Sequence, residues 1–192
     1  MGMEIRLSGT GGQGLILAGI ILAEAAGIYD YKYVTQTQSY GPEARGGASK
    51  SDVIISDQEI LRAQILNPDF LVCLSEQAYE RYGATTLPGA TIIYDTLFVS
   101  VSDIPGVRQI PVPATETALS LGTKIVANVV ALGALRSISD AVSWESLRKA
   151  VLARAPKGSE DINLKALEAG KLLAPLSNAQ AATVTTTAGK NA

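Results

Sequence analysis

The sequence predicts a three-layer α/β/α domain with a central sheet and C-terminal helices. Three observations carry that expectation. Residues 51–56, 69–75 and 90–95 are short, continuous apolar runs of the kind found in strands buried on both faces. Between them lie segments of helical period, and beyond residue 113 the period is helical until Pro175. A chain of 192 residues, 47% hydrophobic and 18% charged, is long enough for one well-buried domain.

The elements follow in order. MEIRLSG (3–9) reads as the first strand, and Gly12 to Gly27 as a helix with Leu15, Ala18, Ile21, Leu22 and Ala25 at helical spacing. DYKYVTQTQSY (30–40) is rich in Tyr, Thr and Val at a period near two and reads as a half-exposed strand. It runs into the loop GPEARGGASKS. SDVIIS and DFLVCLS read as buried strands separated by a helix over DQEILRAQIL (57–66). In SEQAYERYG, Ser75 is the expected N-cap, Glu76 complements the first turn, and Gly83 is the expected stop.

ATIIYD (90–95) is a further buried strand, and VRQIPV (107–112) the last, set toward an edge by its prolines. One helix is expected over 113–135, capped by Thr115, with Ala118, Leu121, Ile125, Val129, Leu132 and Leu135 on one side. Helices over 143–155, capped by Ser143, and 159–174 are each stopped by a proline. The expected domain is 1–175. Residues 176–192, an Ala/Thr-rich stretch almost without large side chains, read as a disordered tail.

Composition excludes several chemistries. The net charge is only −2 and no Lys/Arg block appears, so nucleic acid is not an expected partner. No apolar run reaches the length of a membrane span, and no signal peptide is apparent. A single cysteine forbids an internal disulfide and fits a cytoplasmic location. With no histidine and one cysteine, this chain alone cannot assemble a His/Cys metal site, a thiolate-held iron-sulfur cluster, or a Ser-His-Asp or Cys-His apparatus. Catalytic residues are therefore expected to be absent, and reactive groups must come from a cofactor or another chain.

The densest signal is the loop between the first strand and helix, where Gly9, Gly11, Gly12 and Gly14 occupy four of six positions. Such a backbone exposes the first N–H groups of a helix, which attract phosphate or pyrophosphate. It serves equally well for a tight turn and close helix–strand packing, and the residues alone leave both readings open. Gly9, Gly11 and Gly14 match G-x-G-x-x-G, but the second strand ends in Gln36, Thr37, Gln38 and Ser39 without the acid that holds a ribose. A second loop, YGPEARGG (40–47), sets Arg45 among turn-forming residues, either solvated or facing an anion or a partner.

Together, GTGGQGLILAG, SYGPEARGGASKSDVIIS and IVANVVALGAL resemble the gamma subunit of the 2-oxoacid:ferredoxin oxidoreductases, most of all its 2-oxoglutarate form, over residues 3–175. The resemblance implies a division of labour. Thiamine diphosphate would sit between alpha and beta subunits, iron-sulfur clusters there or on a ferredoxin-like delta subunit would pass electrons to ferredoxin, and coenzyme A would accept the acyl group. The gamma chain would hold no cofactor itself and would help to receive coenzyme A. Carried over residue by residue, Gly9, Gly11, Gly12 and Gly14 would approach its phosphates, with Thr10 and Gln13 as donors and Arg45 neutralising a phosphate or pinning a partner chain. Two alternatives stay open: the small subunit of an indolepyruvate:ferredoxin oxidoreductase, and a free-standing nucleotide-binding protein.

Five other positions stand out. Cys73 lies among apolar neighbours and reads as a buried structural thiol. Tyr79 and Tyr82 share a packing face, and Asp95 reads as a cap or turn residue. Asn128, within an apolar helix face, must find a partner in a loop or across an interface.

Overall fold

The computed structural model describes residues 2–39 and 48–173. The YGPEARGG loop, Arg45 with it, and the stretch expected as a tail lie outside those residues. Strand β1 (Met3–Thr10) leads through the glycine loop into α1 (Leu15–Glu24), which closes in a π-helical turn over Ala25–Tyr29. There follow β2 (Tyr33–Ser39), β3 (Ala48–Ser56), β4 (Phe70–Cys73), α2 (Glu76–Tyr82), β5 (Thr91–Asp95) and β6 (Arg108–Val112). Helices α3 (Ala114–Ser120), α4 (Ala127–Ile138), α5 (Trp144–Arg154) and α6 (160–173) complete the described chain.

The six strands lie in the order β2-β3-β1-β4-β5-β6. Strand β3 runs antiparallel to both its neighbours, and the pairs β1–β4, β4–β5 and β5–β6 are parallel. The expected mixed α/β architecture is therefore present, with its layers unequal. Ile5, Leu7, Val53, Ile55, Val72, Leu74, Ile93 and Ile110 face the main core, to which α1, α3, α4, α5 and α6 all contribute. The alternate side chains face a smaller core of Leu71, Cys73, Ile92, Ala78 and Tyr79 beneath α2.

Four local expectations are corrected. Residues 57–66 form no helix. Because β3 is antiparallel, it ends beside Met3, at the same sheet end where β4 begins beside Ile5, so the connection only has to step past β1. It is pinned there through its backbone, with the Arg6 guanidinium donating to the Ile65 carbonyl at 3.0 Å. The long helix over 113–135 is two helices, separated at Gly122 (φ 106°) and a 3₁₀ turn over Lys124–Val126.

Thr115 does not cap α3. Its N–H and hydroxyl donate to Asp95 Oδ2 at 3.1 and 2.5 Å, so the cap is supplied by the end of β5. Gly83 keeps a right-handed φ of −63° and the chain continues into a 3₁₀ turn through Thr85, so it is no left-handed stop. The Ser75 and Ser143 caps are as expected, accepting from Ala78 and Ser146 N–H at 3.3 and 3.1 Å.

Candidate functional site

Strand β1 is followed by a crossover toward β2 on one side, while β4 lies on its other side, so the carboxyl ends of β1 and β4 flank the point where the sheet's connections part. Doubly wound sheets bind ligands outside that point. The glycine loop occupies it. Gln13 bridges the two strands: its Oε1 accepts from Thr10 N–H at 2.7 Å and its Nε2 donates to the Leu74 carbonyl at 2.7 Å. A Cβ on Gly9 would collide with that Gln13 oxygen, so the bare Cα of Gly9 makes room for the Gln13 side chain. Gly9, Thr10 and Gln13 thus shape the loop from within.

Gly11 and Gly12 are exposed, and a Cβ on Gly12 would meet nothing within 4 Å, although its φ of 89° is left-handed. Gly14 ends the loop at φ 73° and starts α1 without any side-chain cap and without an acidic residue in the first turn. The contrast with α2, which has both Ser75 and Glu76, is direct. Among the described residues no side chain caps the first N–H groups of α1, where the helix dipole is positive. Asn128, buried in α4, donates to the Gly14 carbonyl at 3.0 Å, and a Cβ on Gly14 would sit 2.5 Å from its Nδ2. The partner that a buried Asn requires is this loop.

Beside the loop, Gly12 and Gly14 open onto a cavity of about 290 Å³ walled mainly by apolar groups such as Leu17, Ile125 and Ile162. Arg154 reaches its wall while paired with Glu24 of α1. A second cavity of about 480 Å³ lies on the opposite face between α2 and the loop after β5, and Glu76, Glu80 and Asp103 make it acidic. The second glycine loop ends next to the first, since Ala48 pairs with Thr10, but Arg45 itself falls outside the described residues.

Cys73 is fully buried, and burial pushes its thiol up to about 12, with the Ser8 hydroxyl at 3.6 Å offsetting only part of the rise. Among the described residues no group of three or more His, Cys, Asp or Glu is placed to hold a metal ion, and no helix is long and apolar enough to cross a membrane. Tyr79 is buried and hydrogen-bonds Gln109 and Ser102.

Sequence reasoning missed the charged network beneath α2. Arg6 on β1 and Asp52 directly opposite on β3 form a buried bidentate pair at 2.7 and 2.8 Å, with Lys50 at 2.9 Å from the same carboxylate. The signal was present: Glu4 and Arg6, like Lys50 and Asp52, alternate with apolar or small residues along strands that are otherwise core.

The family model described as pyruvate ferredoxin/flavodoxin oxidoreductase matches residues 4–173. The 2-oxoglutarate synthase subunit KorC of Methanocaldococcus jannaschii is 50% identical over 173 residues, covering 88% of this chain and 92% of that protein. The crystal structure of a keto/oxoacid ferredoxin oxidoreductase gamma subunit from Geobacter sulfurreducens superposes with a TM-score of 0.82 at 44% identity, over 91% of this chain and 99% of that one. The 2-oxoglutarate:ferredoxin oxidoreductase of Magnetococcus marinus, solved with 2-oxoglutarate, coenzyme A and succinyl-coenzyme A bound, matches at 25% identity and a TM-score of 0.77, over 91% of this chain and 31% of that one. Sequence motifs, fold and relatives agree: the chain belongs to the pyruvate ferredoxin/flavodoxin oxidoreductase family, as a gamma subunit of the 2-oxoacid:ferredoxin oxidoreductases.

Proposed function

We propose that this chain works in a complex that converts 2-oxoglutarate, coenzyme A and oxidised ferredoxin to succinyl-coenzyme A, carbon dioxide and reduced ferredoxin, where it helps to receive coenzyme A and to hold the assembly together. Its partners are the alpha and beta subunits and a ferredoxin-like delta subunit. Thiamine diphosphate and iron-sulfur clusters on those partners supply the decarboxylation and electron transfer, and the chain alone turns nothing over. The observation that carries the reading is the uncapped start of α1 behind two exposed glycines, opening onto an apolar cavity. Backbone N–H groups and a positive helix end suit phosphates, and the apolar wall suits the less polar arm of the same molecule. The choice of 2-oxoglutarate rests on the names of the Methanocaldococcus and Magnetococcus relatives.

The test replaces Gly11 by Val in the assembled complex. Gly11 is exposed, so assembly should persist while the KM for coenzyme A rises by about tenfold, the equivalent of ~1.4 kcal/mol of binding. An unchanged KM in an intact complex would remove coenzyme A from this loop. Arg45→Ala sorts the second loop: a raised KM assigns it to coenzyme A, and lost co-purification of the other subunits assigns it to a partner chain.

A further inference from the structure

Asn128 is the polar exception in the first turns of α4. Residues Ala127 to Leu135 are all buried, and every one of them but Asn128 is apolar or glycine. Its amide is fixed at both ends. The Oδ1 atom accepts from Val129 N–H at 2.9 Å, in the first turn of the same helix, and Nδ2 donates to the Gly14 carbonyl at 3.0 Å. The group cannot turn over, because a donor would then face the Val129 N–H and an acceptor the Gly14 carbonyl.

The Gly14 carbonyl is also the first acceptor of α1, taking the Ala18 N–H at 2.9 Å. The Gly14–Leu15 peptide is trans, so a carbonyl aimed along the helix sends the Leu15 N–H the opposite way, out of the start of α1. No side chain caps that start. The peptide plane needs holding, since Gly12 and Gly14 both stand at left-handed φ in a loop of glycines free to turn. A donor on the carbonyl fixes the plane and also polarises the N–H on its other side, because hydrogen bonds in series strengthen one another.

We propose that Asn128 is a positioning residue for coenzyme A: through the Gly14 carbonyl it aims and strengthens the Leu15 N–H that meets a phosphate. The inference rests on the coenzyme A reading above and adds to it the side chain that sets the affinity of the loop. It also gives the buried amide a reason to be there. An apolar residue at 128 would suit the core around α4 equally well, but would leave the first peptide of α1 held by the Ala18 N–H without a side-chain donor.

The test uses two neutral variants, so that no charge is added beside an anion. Asn128→Ala removes the amide, and Asn128→Leu removes it while keeping its bulk in the core. In the assembled complex each should raise the KM for coenzyme A by about fivefold, the usual worth of one hydrogen bond, with kcat at saturating coenzyme A and the KM for 2-oxoglutarate unchanged. In the full chain by itself, the Leu15 amide nitrogen resonance should move more than those of Ile16 and Leu17, whatever binds there. A raised KM for Gly11→Val with an unchanged KM for both Asn128 variants would overturn this inference and leave the coenzyme A reading standing. An unchanged KM in all three would remove both. A Leu15 resonance that stays in place, or loss of kcat or of subunits with both Asn128 variants, would show that the amide serves the fold alone.

Discussion

On the face of the sheet beneath α1 and α4–α6, contact is apolar and backbone-close. A Cβ on Gly133 of α4 would overlap the Leu167 carbonyl of α6, and one on Gly170 would overlap the Val130 carbonyl. On the face beneath α2, the cover among the described residues is one short helix and irregular chain, and the contact includes buried ions. Arg6 spans Asp52, the Ile65 carbonyl and the ring of Tyr82, 5.1 Å from its guanidinium carbon. One face is specified by volume, the other by charge geometry, and the two should fail in different ways.

The largest effect is expected on the charged face. Arg6→Met strands a buried carboxylate with, among the described residues, only Lys50 beside it, at a cost of about 3–5 kcal/mol by denaturant unfolding. The double variant R6M/D52L removes both charges and should return to within about 1 kcal/mol of wild type, because matched apolar groups avoid the desolvation cost. If the single change costs as little as the double, the ion pair is not what specifies this face.

Next comes the close-packed face. Gly133→Ala or Gly170→Ala should destabilise by about 1–3 kcal/mol through overpacking, even though alanine is the better helix former by ~1 kcal/mol. The neighbouring atoms are backbone and cannot swing aside. A rise in melting temperature for either variant would show that α4 and α6 are free to move apart.

The same contrast explains what could be read from the sequence. Leu15, Ala18, Ile21, Leu22 and Ala25 announce α1 because they are buried against one surface at helical period, and all five lie in the main core. The glycine loop was legible too, through its spacing. Its internal wiring was not: that Gln13 fills the space over Gly9, or that Asn128 holds the Gly14 carbonyl 114 residues away, depends on tertiary placement. The helix expected over 57–66 failed for a related reason. Periodicity shows that Ile65 can be buried, but not that β3 is antiparallel, which removes the need for a helical return.

Between the faces, Asp95 at the end of β5 tests a cap supplied from a distance. Its two oxygens accept from Leu97 N–H, Thr115 N–H and the Thr115 hydroxyl. Asp95→Ala should cost about 1–2 kcal/mol, and Asp95→Asn clearly less because one acceptor oxygen remains. Equal losses for the two variants would mean that charge, rather than acceptor geometry, holds α3 to the sheet.

The smallest effect is a pH dependence on the apolar face. Burial raises the carboxyl pKa of Asp30, but the Ser146 hydroxyl at 2.6 Å, the Ser143 N–H at 2.7 Å and Lys32 outweigh it, leaving the group below its ordinary value of 3.8. A carboxylate depressed by folding contributes stability that is present above the unfolded value and lost as pH falls through the folded one. The contribution should therefore be constant from neutral pH down to about 4 and fade below it. Asp30→Asn removes that component: its stability should track wild type with a constant offset above pH ~4, and the offset should shrink under more acidic conditions. Parallel curves throughout the acid range would show that the tether from the end of α1 to the start of α5 works through hydrogen bonds that a neutral amide serves as well. That face would then be apolar in its energetics as well as in its composition.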